Sequence, residues 1–145
     1  MTTELSSVAD GAPRDRAPRV LLYSDDVDTR AQVRLGVGRR LSRGAPDIDW
    51  VETATHAAVV SAADAEDLDL LILDGEAAKS GGMGLCRQLK HEIFDCPPVL
   101  VLVGRPQDAW LASWSLADAV LSHPLDPVEL QRVVARLLQA RTAQG

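Results

Sequence analysis

The sequence predicts a doubly wound α/β domain built on a parallel sheet, and three observations carry that prediction. First, short apolar runs recur as Val20-Leu21-Leu22-Tyr23, Leu70-Leu71-Ile72-Leu73 and Val99-Leu100-Val101-Leu102-Val103. A strand that is apolar along its length is buried on both faces, as in a parallel sheet. Second, helix-like patterns alternate with strands along the chain, and right-handed crossovers then lay helices on both faces of the sheet. Third, two of the runs end in acid, at Asp25-Asp26 and at Asp74. Open α/β sheets carry their ligand sites beyond such carboxyl ends.

Residues 1–18 hold Ser, Thr, Ala, Asp, Arg and Pro without hydrophobic periodicity, and read as a disordered tail. Strand 1 is expected over Val20–Ser24. Helix 1 follows over about Thr29–Leu41 with Asp28 as N-cap, although Gly36 and Gly38 each weaken it by about 1 kcal/mol relative to Ala. Gly44-Ala45-Pro46 breaks the chain, and Ile48–Ala54 alternates like a strand with one better-covered face. Helix 2 is expected over His56–Ala65 and strand 3 over Leu70–Leu73. Gly81-Gly82-Met83-Gly84 lacks the Lys-Ser/Thr spacing of a phosphate-binding loop. It reads as a loop needing unusual backbone angles, before helix 3 at about Leu85–Glu92.

Pro97-Pro98 precedes strand 4 at Val99–Val103. A short helix 4 is expected over Asp108–Leu116 and strand 5 over Ala119–Leu121. The last helix has a strong start signal, with Asp126 as N-cap, Pro127 at N1 and Glu129 at N3. Its core stripe is Leu130, Val133, Val134, Leu137 and Leu138. Five βα units in this order make a flavodoxin-like (βα)5 sheet of strand order 2-1-3-4-5. One domain is expected over residues 19–140, with a tail at 141–145 and no output domain.

Composition narrows the function classes. At 145 residues, with 46% hydrophobic and 25% charged content, the chain suits one globular domain. A net charge of −6 provides no basic excess to neutralise phosphates, which argues against a nucleic-acid binder. Between Val27 and Arg43, however, five arginines (Arg30, Arg34, Arg39, Arg40, Arg43) face one acid, Asp28. A solvated helix face explains them, and so does a surface for an acidic partner or anionic lipid. Cys86 and Cys96 form no disulfide framework or metal set, which suits a reducing cytoplasm. No signal-peptide core or membrane-spanning run is present. The expected location is cytoplasmic, peripheral to a membrane only through a partner.

Across about Arg19 to Leu138 the chain resembles the receiver domain of two-component response regulators. The acid pair Asp25-Asp26 matches the family's pair after strand 1, and Asp74 matches its phosphoacceptor after strand 3. Val99–Gly104 matches strand 4 and its turn. The stretch Ala117–Leu130, with Ser122-His123-Pro124 inside it, matches strand 5, the Lys-Pro step and the opening of the last helix. The resemblance implies phosphoryl transfer by positioning and charge neutralisation. It also implies a Mg²⁺ held by Asp26 directly, Asp25 through water, Asp74 and the main-chain carbonyl of Glu76, with a histidine kinase as phosphodonor. A degenerate acidic pocket with structural or no metal use is the alternative.

The departures from the family are as informative. Its strand-4 Thr or Ser, which contacts the phosphoryl oxygen, is Val103 here; its strand-5 aromatic is Val120; and its Lys is His123. The loop from Asp74 to Gly82 lacks the usual proline. Valine donates no hydrogen bond, and His is charged only part of the time near neutral pH. His123 either replaces the lysine as a cation or is only the residue before a Pro124 peptide that the resemblance implies is cis. The pattern is that of an atypical receiver.

Trp110 and Trp114 stand i,i+4 on helix 4 and share a face, which suits either core packing or a partner surface. The function expected is therefore a stand-alone receiver that binds protein through helix 4, strand 5 and helix 5, or through the arginine-rich helix 1. A conventional phosphorelay receiver, modified on Asp74 by a histidine kinase, is the alternative. More narrowly, residues 23–30, 73–77 and 108–115 are similar to an orphan actinobacterial regulator associated with the proton-pumping NADH:quinone oxidoreductase. That similarity implies a partner role on the respiratory complex. An aspartate-nucleophile phosphatase also pairs two acids at the spacing of Asp74 and Glu76, but it needs a cap insertion that this length does not accommodate. No enzyme activity is expected.

Overall fold

The structure, a computed structural model, describes residues 16–65, 67–77 and 81–144. Strands β1 (Arg19–Tyr23), β2 (Asp49–Thr53), β3 (Leu70–Asp74), β4 (Val99–Val103) and β5 (Ala119–Ser122) pair in parallel in the order β2-β1-β3-β4-β5. They are joined through α1 (Val27–Val37), α2 (His56–Ala65), α3 (Gly82–Glu92), α4 (Ala109–Trp114) and α5 (Pro127–Gln144). This is the flavodoxin-like arrangement expected from the apolar runs.

The two-residue period of a strand sends alternate side chains to opposite layers. Val20, Leu22, Leu70, Ile72, Leu100 and Leu102 pack with Val33 and Val37 of α1 and with Leu130 and Val134 of α5. Leu21, Tyr23, Leu71, Leu73, Val99, Val101 and Val103 pack with Val59 of α2 and with Leu85, Cys86 and Leu89 of α3. Both central strands, β3 and β4, are buried end to end. Burial pushes the Cys86 thiol up to about 11, with a hydrogen bond to Ser115 pulling weakly the other way. At pH 8 only about one Cys86 in a thousand is then thiolate, and the thiolate is the reactive form. Iodoacetamide at that pH is expected to leave Cys86 unmodified in the folded protein and to label it on unfolding, as peptide mass mapping would show.

Several boundaries differ from the sequence expectation. Helix α1 begins two residues early because Asp26, not Asp28, is its N-cap. It ends at Val37 rather than Leu41 because Gly38 turns to φ +90° and closes it. Gly36 lies inside the helix for a packing reason: a Cβ there would sit 2.9 Å from Leu130 Cδ2. The glycines before α3 do not supply unusual angles. Gly81 has φ −62°, and Gly82 is already helical. Helix α4 stops at Trp114, and Leu116 turns to φ +69°.

The terminal boundaries shift as well. Helix α5 runs on to Gln144, so residues 141–144 are helix rather than tail. Arg141 there donates to the Asp95 carbonyl at 3.2 Å. At the other end, residues 16–18 are tied down: Arg16 pairs with Asp69 at 2.9 Å, and the Pro18 carbonyl accepts from Asp49 N–H at 2.8 Å. The rest of the expected N-terminal tail, residues 1–15, lies outside the described residues, as do 78–80 of the loop after β3.

Candidate functional site

Parallel pairing sets Tyr23 beside Leu73 at the end of β1 and Asp74 beside Leu102 on β4. One step beyond that register, Ser24 stands next to Asp74. Its buried hydroxyl donates to Asp74 Oδ2 at 2.7 Å and accepts from the Asp26 N–H at 3.0 Å. The Glu76 N–H donates to Asp74 Oδ1 at 2.8 Å. Asp74 is only 4% exposed, so a protein donor on each oxygen meets the hydrogen-bonding demand of a buried carboxylate.

The acid pair after β1 divides its roles. Asp26 turns its carboxylate onto α1, where Oδ1 accepts from the Asp28 N–H at 2.9 Å and Oδ2 from the Thr29 hydroxyl at 3.3 Å. This is ordinary capping of orphan helix donors. Asp25 is exposed. Arg30 reaches back from α1, donating through Nη1 to the Ser24 carbonyl at 2.6 Å and through Nε to Glu52 Oε1 at 3.1 Å. The side chain of Glu76 lies over the turn after β4, where a Cβ on Gly104 would come within 3.0 Å of its Oε1.

The oxygen donors of Asp25, Asp26, Asp74 and the Glu76 carbonyl match the hard-ligand chemistry of Mg²⁺. Among the described residues no three His, Cys, Asp or Glu side chains converge on a metal-sized point. Asp26 caps the helix and Asp74 accepts from Ser24 and Glu76, and each carboxylate keeps further acceptor capacity.

The altered switch positions are built into the scaffold. Val103 is fully buried in the layer under α2 and α3, and Val120 packs partly buried against the same cluster. The His123 N–H donates to the Val103 carbonyl at 2.9 Å, and the His123-Pro124 peptide is cis. With Gly104, Gln32, Leu35, Pro124 and Leu130, His123 lines a groove of about 680 Å³ between α1 and the start of α5. The oxygens of Asp74 take their donors from Ser24 and Glu76 rather than from His123.

Core packing does not account for the tryptophans. Trp110 is 69% exposed and Trp114 51% exposed. Arg87 of α3 steadies the second, with its guanidinium carbon 4.8 Å from the ring centroid and Nη1 donating to the Trp114 carbonyl at 2.6 Å. The arginine-rich stretch, by contrast, is partly paired internally. Arg30 and Arg34 meet Glu52 at 3.1 and 3.0 Å, while Arg39 and Arg40 lie beyond α1 and meet Asp47. Four arginines thus share two carboxylates, so the stretch keeps a net positive charge.

Ser24 and Arg30 are the site residues that the sequence pattern passed over. A polar residue closing an apolar strand was the available signal for the first. For the second, nothing in spacing pairs residue 30 with the carbonyl of residue 24 and with Glu52.

No family model matches the chain. Two response regulatory proteins described as uncharacterized, from Mycobacterium tuberculosis strains H37Rv and CDC 1551, are each 52% identical to it over 124 residues, covering 86% of this chain and 93% of theirs. The response regulator protein PmrA of Pseudomonas aeruginosa is 31% identical over 131 residues, and the match spans 55% of PmrA. Among solved structures, the receiver domain of a LuxO repressor protein from Vibrio parahaemolyticus superposes with TM-score 0.74 at 19% identity, covering 89% of this chain and 95% of that one. A CheY-like receiver domain from Methanospirillum hungatei gives TM-score 0.72 at 16% identity, covering 90% and 100%. The structural likenesses establish the fold. Identity to the mycobacterial proteins over nearly their whole length places this chain in the response regulator family, as a receiver domain.

Proposed function

We propose that this receiver acts as a protein-binding regulatory module, presenting Trp110 and Trp114 of α4 to a partner, with little dependence on modification of Asp74. The exposed tryptophan pair is the observation that carries this reading. Large aromatics are costly to leave in water and are enriched among the residues that dominate interfaces. The altered switch supports it: Val103 and Val120 carry neither the hydroxyl nor the aromatic ring through which a phosphoryl group at Asp74 would act on α4. The mycobacterial relatives extend little beyond the aligned region, which favours action through a docked surface.

A conventional phosphorelay role is the second reading, because Asp74 closes β3 where the family's phosphoacceptor stands. Partner affinity measured with and without beryllofluoride and millimolar Mg²⁺ separates the two. The expected change is below the roughly fivefold that marks the lower end of ordinary coupling between sites. A larger change that Asp74→Asn abolishes would favour the phosphorelay with its histidine kinase and its Mg²⁺ at Asp25, Asp26, Asp74 and the Glu76 carbonyl.

A finer reading makes the partner the proton-pumping NADH:quinone oxidoreductase. It rests on the resemblance over residues 23–30, 73–77 and 108–115, the last of which holds both exposed tryptophans. Peripheral placement at a membrane would then come through that partner, since among the described residues no helix is long and apolar enough to cross one. Co-migration of the tagged chain with the respiratory complex on native gels tests it, and migration of the chain apart from the complex would remove it.

A further inference from the structure

We propose that Ser24 is the positioning residue of the carboxylate site. Its hydroxyl fills one acceptor position of Asp74 Oδ2, so a divalent cation or phosphoryl group approaching that oxygen competes with it. The inference rests on Asp74 being the site's reactive carboxylate, but not on what the tryptophans bind.

The direction of the hydroxyl proton follows from its neighbours. The Asp26 N–H already occupies Ser24 Oγ at 3.0 Å, which leaves the O–H to donate to Asp74 Oδ2 at 2.7 Å. A serine oxygen accepts and donates at once, whereas a carboxylate only accepts. The main chain of Ser24 is held on both sides as well. Its N–H donates to the Thr53 carbonyl at 3.2 Å, and its own carbonyl takes Arg30 Nη1 at 2.6 Å. Arg30 is in turn fixed on Glu52. The backbone that carries the hydroxyl is therefore held at the β1–α1 junction, and the residue is fully buried.

An apolar residue at this position would leave Asp74 Oδ2 without this donor. A cation would then be the natural substitute. Serine supplies a neutral donor instead, which satisfies the carboxylate at rest and raises the cost of exchanging it for an ion. The same hydrogen bond that stabilises the fold thereby opposes occupancy of the site.

Opposed signs make the test. Ser24→Ala is expected to tighten Mn²⁺ binding, measured by isothermal titration on the full chain, by about tenfold, the change carried by one hydrogen bond to a charged group. The same variant is expected to melt at a lower temperature than wild type without metal. A merely structural role would lower both stability and affinity. Ser24→Thr, which keeps the hydroxyl, is expected to return Mn²⁺ affinity to the wild-type value. Ser24→Cys keeps the size with a weak donor and is expected to bind more tightly than wild type, which carries the test if the alanine variant does not fold. Unchanged or weaker Mn²⁺ binding in the alanine and cysteine variants overturns the proposal, as does the absence of millimolar binding in all four proteins. Partner capture through the tryptophans is measured without Mn²⁺, so its failure would leave this result standing.

Discussion

Replacing Trp110 and Trp114 together by alanine is expected to weaken partner binding by roughly a hundredfold or more, because interface anchors of this type contribute about 2 kcal/mol or more apiece and tenfold corresponds to about 1.4 kcal/mol. The two residues stand one helical turn apart on a helix of only six residues, so they share one face. The fold itself should lose little, since both rings are already largely in water. The contact of Arg87 with Trp114 is worth about 0.5–1 kcal/mol at an exposed position. Its loss should lower the melting temperature by only about 2–4 °C in a chain of this size.

Affinity capture from native cells, followed by titration of the captured protein, reads the first effect, and thermal melting reads the second. Phe94, exposed on the segment after α3, is the control. Phe94→Ala should leave capture unchanged. Equal capture by wild type and the double variant would remove α4 as the docking surface.

The second large effect is at Gly82, where alanine is expected to destabilise the domain by about 1–3 kcal/mol, the usual cost of overpacking. A Cβ there would lie 2.7 Å from the Asp74 carbonyl oxygen, 2.8 Å from its carbon and 3.0 Å from the Leu73 carbon. These are backbone atoms of the central strand and cannot rotate aside as a side chain does. Alanine's better helix propensity returns about 1 kcal/mol at most, so the clash prevails. Relief requires α3 to move off β3 and to carry the carbonyl of Asp74 with it. Chemical denaturation should show a lower midpoint with an unchanged slope, and the Glu76 amide, bonded to Asp74 Oδ1, should shift in nitrogen-proton spectra. A variant as stable as wild type would show that α3 approaches β3 less closely than 2.7 Å implies. Alanine at Gly84, where a Cβ meets nothing within 4 Å, is the matched control.

Gly82 also marks where pattern reading stops. The run Gly81-Gly82-Met83-Gly84 announces that side chains are unwelcome, and the first inference is unusual backbone angles. The backbone is ordinary; the constraint is a neighbouring strand, which local sequence does not display. The tryptophans pose the same problem in reverse. Spacing alone puts Trp110 and Trp114 on one face without saying whether that face turns in or out. Helix α4 stops early, at Trp114, and both rings stand exposed.

By itself the sequence determined the five strands, their order, the two core layers and the acids at the strand ends. Each of these follows from periodicity and chain order, which every residue reports locally. Only the tertiary structure decided which atoms meet at that end. The β1–β3 register brings Ser24, rather than Asp25 or Asp26, against Asp74, and the start of α1 at Val27 draws the Asp26 carboxylate onto the helix as its cap. A strand's alternation tells which residues are buried. The partner of its last residue depends on how far a neighbouring strand extends and where the next helix begins, and those are set by packing across the whole sheet.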